Sequence, residues 1–366
     1  MSSRPLSRRI LLTLLGLGGA EALLAACSES QSAQTVVTKT STSTVEAVPA
    51  VGASSTGPAT AARTAGSTAQ SGALSSAAPS SAAASSAAPP SPALTASSAA
   101  PTGAPVHVRL YQSDGRTYGV GMPIIAYLSK KITDGKSFAA ATKVTVNGVA
   151  AVGAWFFQTS RIRPGYPMEA HYRLQDYWPA HAVIALDLPV RGLSAGIGLV
   201  FNDSLTLKMN TGARNITTVD GATEQLTLTT DGAVKFQFPV SLGKAATPTF
   251  TGTKVLMERD KVERMVGTTP GDVYDLQVPW SVRLTNSGEF IHAASWNGGN
   301  IGQRSTSNGC TNLNVDAAHQ YFNFAKIGDV AVYANTGGAP MPVWDGYGDW
   351  NLPWATWTRG GAVPTL

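Results

Sequence analysis

The sequence predicts a mostly β protein: two β-rich units behind a low-complexity leader, closed by an aromatic tail. Three observations carry this. Residues 28–105 are almost entirely Ala, Ser, Thr, Pro and Gly, with four charges, Glu29, Lys39, Glu46 and Arg63. From Val106 onward, short apolar or alternating runs recur between Gly and Pro breaks, the spacing of strands and turns. Helical periodicity is convincing in one stretch after the leader, Ala317-Ala318-His319-Gln320-Tyr321-Phe322, with Asp316 expected as its N-cap.

Composition narrows the classes. Of 366 residues, the stretch after the leader is long enough for two ordinary domains. All eight tryptophans lie there. Two cysteines exclude a disulfide scaffold and a multi-cysteine zinc site, and no metal or organic cofactor is implied. The net charge of +5 is too small for a nucleic-acid footprint, although it permits mild attraction to anionic wall polymers.

The N-terminus has the parts of a secretory signal over residues 1–26. A basic stretch with Arg4, Arg8 and Arg9 leads into Ile10-Leu11-Leu12-Thr13-Leu14-Leu15-Gly16-Leu17, which is short for a membrane span. The run ends in Leu24-Ala25-Ala26-Cys27. That segment resembles the bacterial lipobox, in which the cysteine takes a lipid thioether and becomes the new N-terminus. Arg8-Arg9 also resembles a twin-arginine signal, a pair that many general secretory signals share. The expectation is a lipoprotein on the outer face of the plasma membrane, with Cys27 as the lipidation site. Residues 27–105 would then be a disordered tether, because so little apolar surface cannot offset chain entropy. A coil of that length spans roughly 50 Å r.m.s..

The first folded unit is expected over residues 106–212. Its runs are Val106-His107-Val108-Arg109-Leu110, Ile124-Ile125-Ala126-Tyr127-Leu128, Lys143-Val144-Thr145-Val146 and Ala182-Val183-Ile184-Ala185-Leu186, with breaks at Asp114-Gly115, Asn147-Gly148 and Pro164-Gly165. About 105 residues with this punctuation suit an immunoglobulin-like sandwich, here without the cysteine pair of antibody domains. A second β unit follows over residues 213–338, including Val234-Lys235-Phe236-Gln237-Phe238-Pro239-Val240 and Val330-Ala331-Val332-Tyr333. Residues 339–366 hold four tryptophans within Trp344–Trp357. Sugar stacking is one use for such a cluster; anchoring the tail on a domain surface is the commoner one.

Apart from Cys27, the chain has one thiol, Cys310. An isolated cysteine is usually a small buried hydrophobe. Its setting points elsewhere: Ser307-Asn308-Gly309-Cys310-Thr311-Asn312 is a polar turn, and Gly309 lets the backbone bend and bring amides near sulfur. A thiol needs a base or cation to become a good nucleophile. Of five histidines, His107, His171 and His181 fall in the first unit and His319 on the helix. His292, at the end of a predicted strand ahead of Ala293-Ala294-Ser295-Trp296, is the candidate partner.

His292, fourteen residues, then Ser307-x-Gly309-Cys310-x-Asn312 resembles the signature of the L,D-transpeptidases. The layout of lipoprotein signal, tether, immunoglobulin-like domain, catalytic β-sandwich and Trp-rich tail is similar to the mycobacterium-type members. Supporting runs are Tyr118-Gly119-Val120-Gly121-Met122-Pro123, Tyr177-Trp178-Pro179-Ala180, Thr247-Pro248-Thr249 and Asp345-Gly346-Tyr347-Gly348-Asp349-Trp350. The resemblance covers about residues 106–360. It implies that Cys310 attacks the third residue, usually a diaminopimelate, of a peptidoglycan tetrapeptide stem. D-Ala leaves, and a second stem's side-chain amine resolves the thioester into a 3→3 cross-link. His292 would be the base, the Ala293 carbonyl its orienting partner, and amides around Gly309 and Cys310 the oxyanion site. Tyr274, in the stretch that forms the family's lid, and Trp296, Ser307, Asn308 and Asn312 would contact substrate, with Asn312 bracing the Cys turn. Core packing explains Trp296 equally well. A carbapenem would acylate Cys310.

One departure matters: the family usually has His where this chain has Asn308, whereas Ser, often found in the family at the Ala293 position, is not needed for a carbonyl role. Asn donates a hydrogen bond but carries no proton or charge, so altered activity is expected. The rival reading is a wall-binding lipoprotein with an inactive site. Sortases place His much farther ahead of Cys, and papain-like enzymes reverse the order.

Overall fold

A computed structural model describes residues 102–269 and 272–366. Cys27, the signal and the tether expectations lie outside the described residues.

The described chain is mostly β, and its first part is a two-sheet sandwich. One sheet has strands Val108–Leu110, Ile124–Leu128, Met168–Leu174 and Gly153–Thr159 side by side. The other has Thr117–Tyr118, Leu205–Thr211, Val183–Leu188, Lys143–Val146 and Val149–Ala150. The predicted first run is broken at His107 into Ala104–Val106 and Val108–Leu110, and the first piece leaves to pair in parallel with Leu199–Phe201. Asn147 (φ 51°) and Gly148 (φ 82°) close a two-residue hairpin, the backbone an Asn-Gly turn favours. Aromatic side chains fill the core. Phe138 sits 5.0 Å from Trp155 and 5.2 Å from Phe201, ring centre to ring centre.

The second part is also two-layered. A five-stranded sheet runs Ala233–Pro239, Gln225–Thr230, Asn215–Asp220, Val330–Ala334, Gly252–Val255. A four-stranded sheet runs Glu258–Thr269, Asp272–Arg283, Phe290–Ala293, Thr311–Leu313. Helix Val315–Phe324 packs on this second sheet. Its N-cap is Asn314, not the expected Asp316. Asp316 lies in the first turn, where its charge still favours the helix dipole. Leu226, Leu242, Val282, Ile291, Leu313 and Tyr321 make the core between layers.

The first core continues into the second part: Val255, Met257 and Tyr347 belong to the same buried cluster as Trp155 and Phe157. The tail completes the junction. Trp357 is fully buried and its indole N–H donates to Ala154 O at 2.9 Å, while Trp350 donates to Gly121 O at 2.9 Å. The Arg173 guanidinium lies over the rings of Trp350, Trp354 and Trp357. Three of the four tail tryptophans are therefore anchors. Trp344 stays exposed, with Arg161 stacked on it at 4.1 Å.

Candidate active site

Strand pairing places the chemistry. Phe290–Ala293 and Thr311–Leu313 are parallel neighbours, with His292 opposite Asn312. Cys310 therefore immediately precedes a strand whose partner carries the histidine. His292, Cys310, Tyr274, Trp296, Ser307, Asn308 and Asn312 all line one cleft of about 310 Å³.

The turn before Cys310 is held by its own groups. Gly309 has φ 113°, a conformation side chains strongly disfavour. Ser307 Oγ donates to Cys310 O at 2.6 Å and accepts from Gly309 N at 3.2 Å. Thr249 Oγ1 donates to Gly309 O at 2.8 Å. The Gly309 amide is thus engaged, while the Cys310 amide makes no hydrogen bond to the described residues. Asn312 braces the turn through its backbone, which exchanges two hydrogen bonds with Ser241 (3.1 and 2.9 Å). Its side chain does not share the expected bracing: the carboxamide oxygen is buried and has no hydrogen-bond partner among the described residues.

His292 is buried and its Nδ1 lies 2.8 Å from Ala293 O. A carbonyl only accepts, so Nδ1 carries the proton and Nε2 keeps its lone pair. Burial lowers the imidazole pKa to about 4, against a smaller upward effect of the Ala293 carbonyl. The ring is neutral near pH 7. Burial raises the Cys310 thiol to about 12; the Phe290 backbone opposes that, Glu289 adds to it, and Lys254 and Arg283 pull down. Sγ donates to Gly288 O at 3.6 Å and not to His292. The resting pair is a neutral thiol and a neutral imidazole, with the thiol turned to Gly288 O.

Trp296 is 54% exposed and stacks on the His292 ring at 5.9 Å, so it is a rim residue rather than core. Tyr274 stands opposite Gly267 on the neighbouring strand. A Cβ at Gly267 would lie 2.2 Å from the Tyr274 ring, so the glycine makes room for it. Burial raises the Tyr274 pKa, as does the adjoining Cys310, and a hydrogen bond with Asn308 lowers it. Asn308 also bonds the Asp272 side chain and accepts from Thr247 Oγ1 at 3.4 Å.

Sequence reading missed the charges around this turn. Lys254 and Glu289 form a buried ion pair behind it. Glu289 also accepts from Phe250 N at 2.7 Å, and its side chain lies beside Gly309. Burial pulls the Lys254 pKa down and pushes Glu289 up, each opposed by its partner's charge. Lys244 and Asp272 pair in the cleft at 2.7 Å. A Glu just before an apolar strand and a Lys inside another were the available signals.

Fold and site define a class: a two-layered β domain whose cleft holds a thiol and a neutral imidazole. The L,D-transpeptidase catalytic domain model (YkuD) matches residues 214–337, and the bacterial Ig domain model matches residues 26–194. The chain is 30% identical over 279 residues to L,D-transpeptidase 2 of Mycobacterium tuberculosis, covering 74% of this chain and 66% of that protein. It is 28% identical over 256 residues to L,D-transpeptidase 5 of the same organism, covering 69% of this chain and 55% of that protein. It thus spans just under two thirds and about half of these relatives. A solved L,D-transpeptidase from Mycobacterium smegmatis superposes with a TM-score of 0.51 at 26% identity, over 63% of this chain and 100% of that one. The imipenem complex of LdtMt1 superposes with 0.52 at 22% identity, over 62% and 97%, a likeness of fold alone. The chain carries an L,D-transpeptidase domain with a bacterial Ig domain, and is related to the mycobacterial L,D-transpeptidases at about 30% identity.

Proposed function

We propose that the chain forms 3→3 cross-links in peptidoglycan. The observation that supports this reading most is His292, buried and neutral with its Nδ1 proton fixed on Ala293 O, sharing a cleft with Cys310. Substrate seats against the cleft and the Cys310 thiol turns from Gly288 O toward Nε2. Nε2 takes the thiol proton as sulfur bonds to the carbonyl carbon of the donor stem's third residue. The Cys310 amide meets the oxyanion, an interaction worth about 3–4 kcal/mol in comparable sites. The C–N bond to D-Ala breaks, its nitrogen takes the proton from Nε2, and a thioester remains. The acceptor's side-chain amine then attacks that carbonyl and gives a proton to Nε2. Collapse releases the new amide, and the thiolate recovers its proton. With water as acceptor, the same steps trim D-Ala.

Trp296 shields one face of the imidazole, and Asn312 lines the cleft beside it. Carbapenem acylation of Cys310 follows the same nucleophilic chemistry. Export, lipidation of Cys27 and work at the outer face of the membrane rest on the N-terminal sequence.

The test uses the full chain with Cys27→Ser, leaving Cys310 as the one thiol, and a disaccharide-tetrapeptide substrate read by mass spectrometry. Dimer with loss of one D-Ala, absent in Cys310→Ala, is the expected result. Tripeptide without dimer means a carboxypeptidase. No product from any stem type means a wall-binding lipoprotein.

A further inference from the structure

We propose that Lys244 and Asp272 form a subsite for a zwitterionic side-chain terminus, an ammonium and a carboxylate on one carbon, of the donor stem's third residue. This deepens the transpeptidase reading and rests on it.

Among the described residues lining the cleft, Lys244 and Asp272 are its charged groups; every other lining side chain is apolar, neutral polar, or the neutral His292 and thiol. Both are held from the backbone. The Lys244 amide donates to Ser307 O at 2.9 Å, three residues before Cys310, and Thr247 N closes a turn onto Lys244 O at 2.9 Å. That turn is tight: a Cβ at Gly243 would lie 2.3 Å from Thr247 O. Asp272 and Tyr274 are two apart on one strand and so share a face.

The pair is reachable, with side chains 39% and 34% exposed, and it presents both signs 2.7 Å apart. A zwitterion matches this in antiparallel fashion, ammonium to Asp272 and carboxylate to Lys244, and the site stays neutral. A lone ammonium would take Asp272 and leave Lys244 unpaired. An amidated carboxylate would leave Lys244 with a neutral acceptor. Discrimination arises from the group left without a partner as much as from the bond gained.

Asn308 acquires a role here. Its carboxamide bonds Asp272 and Tyr274 without adding charge. A protonated histidine in its place would compete for the Asp272 carboxylate; the neutral amide orients it and leaves its charge for Lys244 and the ligand.

The test separates binding from turnover. Equilibrium binding is measured on the full chain with Cys27→Ser and Cys310→Ala, which cannot turn over. The probes are three tetrapeptides differing at the third residue: diaminopimelate, its side-chain carboxamide, and lysine. The diaminopimelate form should bind about tenfold tighter than the other two. Lys244→Met should bring it level with the carboxamide, and Asp272→Asn should weaken diaminopimelate and lysine forms together, both with an unchanged unfolding midpoint. Equal affinities for the three peptides, a preference that survives Lys244→Met, or no binding would overturn the subsite. Turnover by the Cys310 chain is read in parallel: dimer formation with equal affinities sinks the subsite alone, and selective binding without product sinks the transpeptidase reading alone.

Discussion

A buried neutral imidazole beside a half-buried neutral thiol sets the pH behaviour of the site. A thiolate–imidazolium ion pair would alkylate at a rate that levels off at mildly acidic pH. Here the thiol sits near 12 and the imidazole near 4, so iodoacetamide should modify Cys310 at a rate that rises steadily from pH 6 to pH 9. A plateau below pH 7 would mean that the ion pair forms at rest. The same burial affects stability. Below pH 6.5 the unfolded chain protonates His292 while the folded chain resists until about pH 4, so stability falls as pH drops through that window. The cost approaches about 3 kcal/mol, and His292→Gln should flatten urea unfolding midpoints measured between pH 4.5 and 7.5. Cys310, His292 and the Gly309 bend were legible in the sequence because they are local: a thiol, a turn glycine and a strand-end histidine at readable spacing. Lys244 with Asp272, and Lys254 with Glu289, were not. Each pair joins residues 28 and 35 positions apart, and register brings them together where no short pattern records it.

Strands and turns position the site by making room and by balancing charge. Gly267 exists as glycine because Tyr274 lies across it. Gly267→Leu should push Tyr274 out of the cleft, raising KM for the stem peptide several-fold while alkylation of Cys310 stays within twofold; unchanged KM would remove Tyr274 from substrate binding. The Lys254–Glu289 pair is a sharper case. Both side chains are buried, with Tyr333 stacked under the ammonium at 3.8 Å. Removing one partner strands a charge, so Lys254→Met should cost about 3–5 kcal/mol in chemical unfolding. Adding Glu289→Leu should recover most of it, since an apolar pair of similar volume carries no desolvation penalty. A double variant as unstable as the single one would show that Glu289 is needed for its bond to Phe250 N, not for charge balance. The strands themselves were readable from alternation and turn residues. The break at His107 was not, because pairing with Leu199–Phe201 is decided 95 residues away.

At the scale of the whole molecule, the tail stitches the two β units into one folding unit. Asn351 exchanges hydrogen bonds with Thr253 N and O at 2.7 and 2.8 Å on the five-stranded sheet of the second unit. Asp345 accepts from Ser287 N at 2.7 Å, bracing the turn that gives Gly288 O to the thiol. Asp349, fully buried, receives His171 Nδ1 of the first sandwich at 3.0 Å. Burial alone would lower the His171 pKa, but Asp349 and Glu169 overcome it and raise it to about 10. A histidine held charged in this way stabilises the fold fully below pH 6.5, and the contribution is lost as pH rises through 10. Asp349→Asn leaves that charge without its nearest partner. The unfolding midpoint should drop at pH 7 by an amount equivalent to about 3–5 kcal/mol, and the fall between pH 7 and pH 10 seen in the parent chain should shrink. Because one buried cluster spans both units, tryptophan fluorescence and Cys310 alkylation should report the same shifted midpoint in urea. If alkylation instead keeps the parent midpoint while fluorescence moves, the two units unfold separately and the tail is packing without coupling.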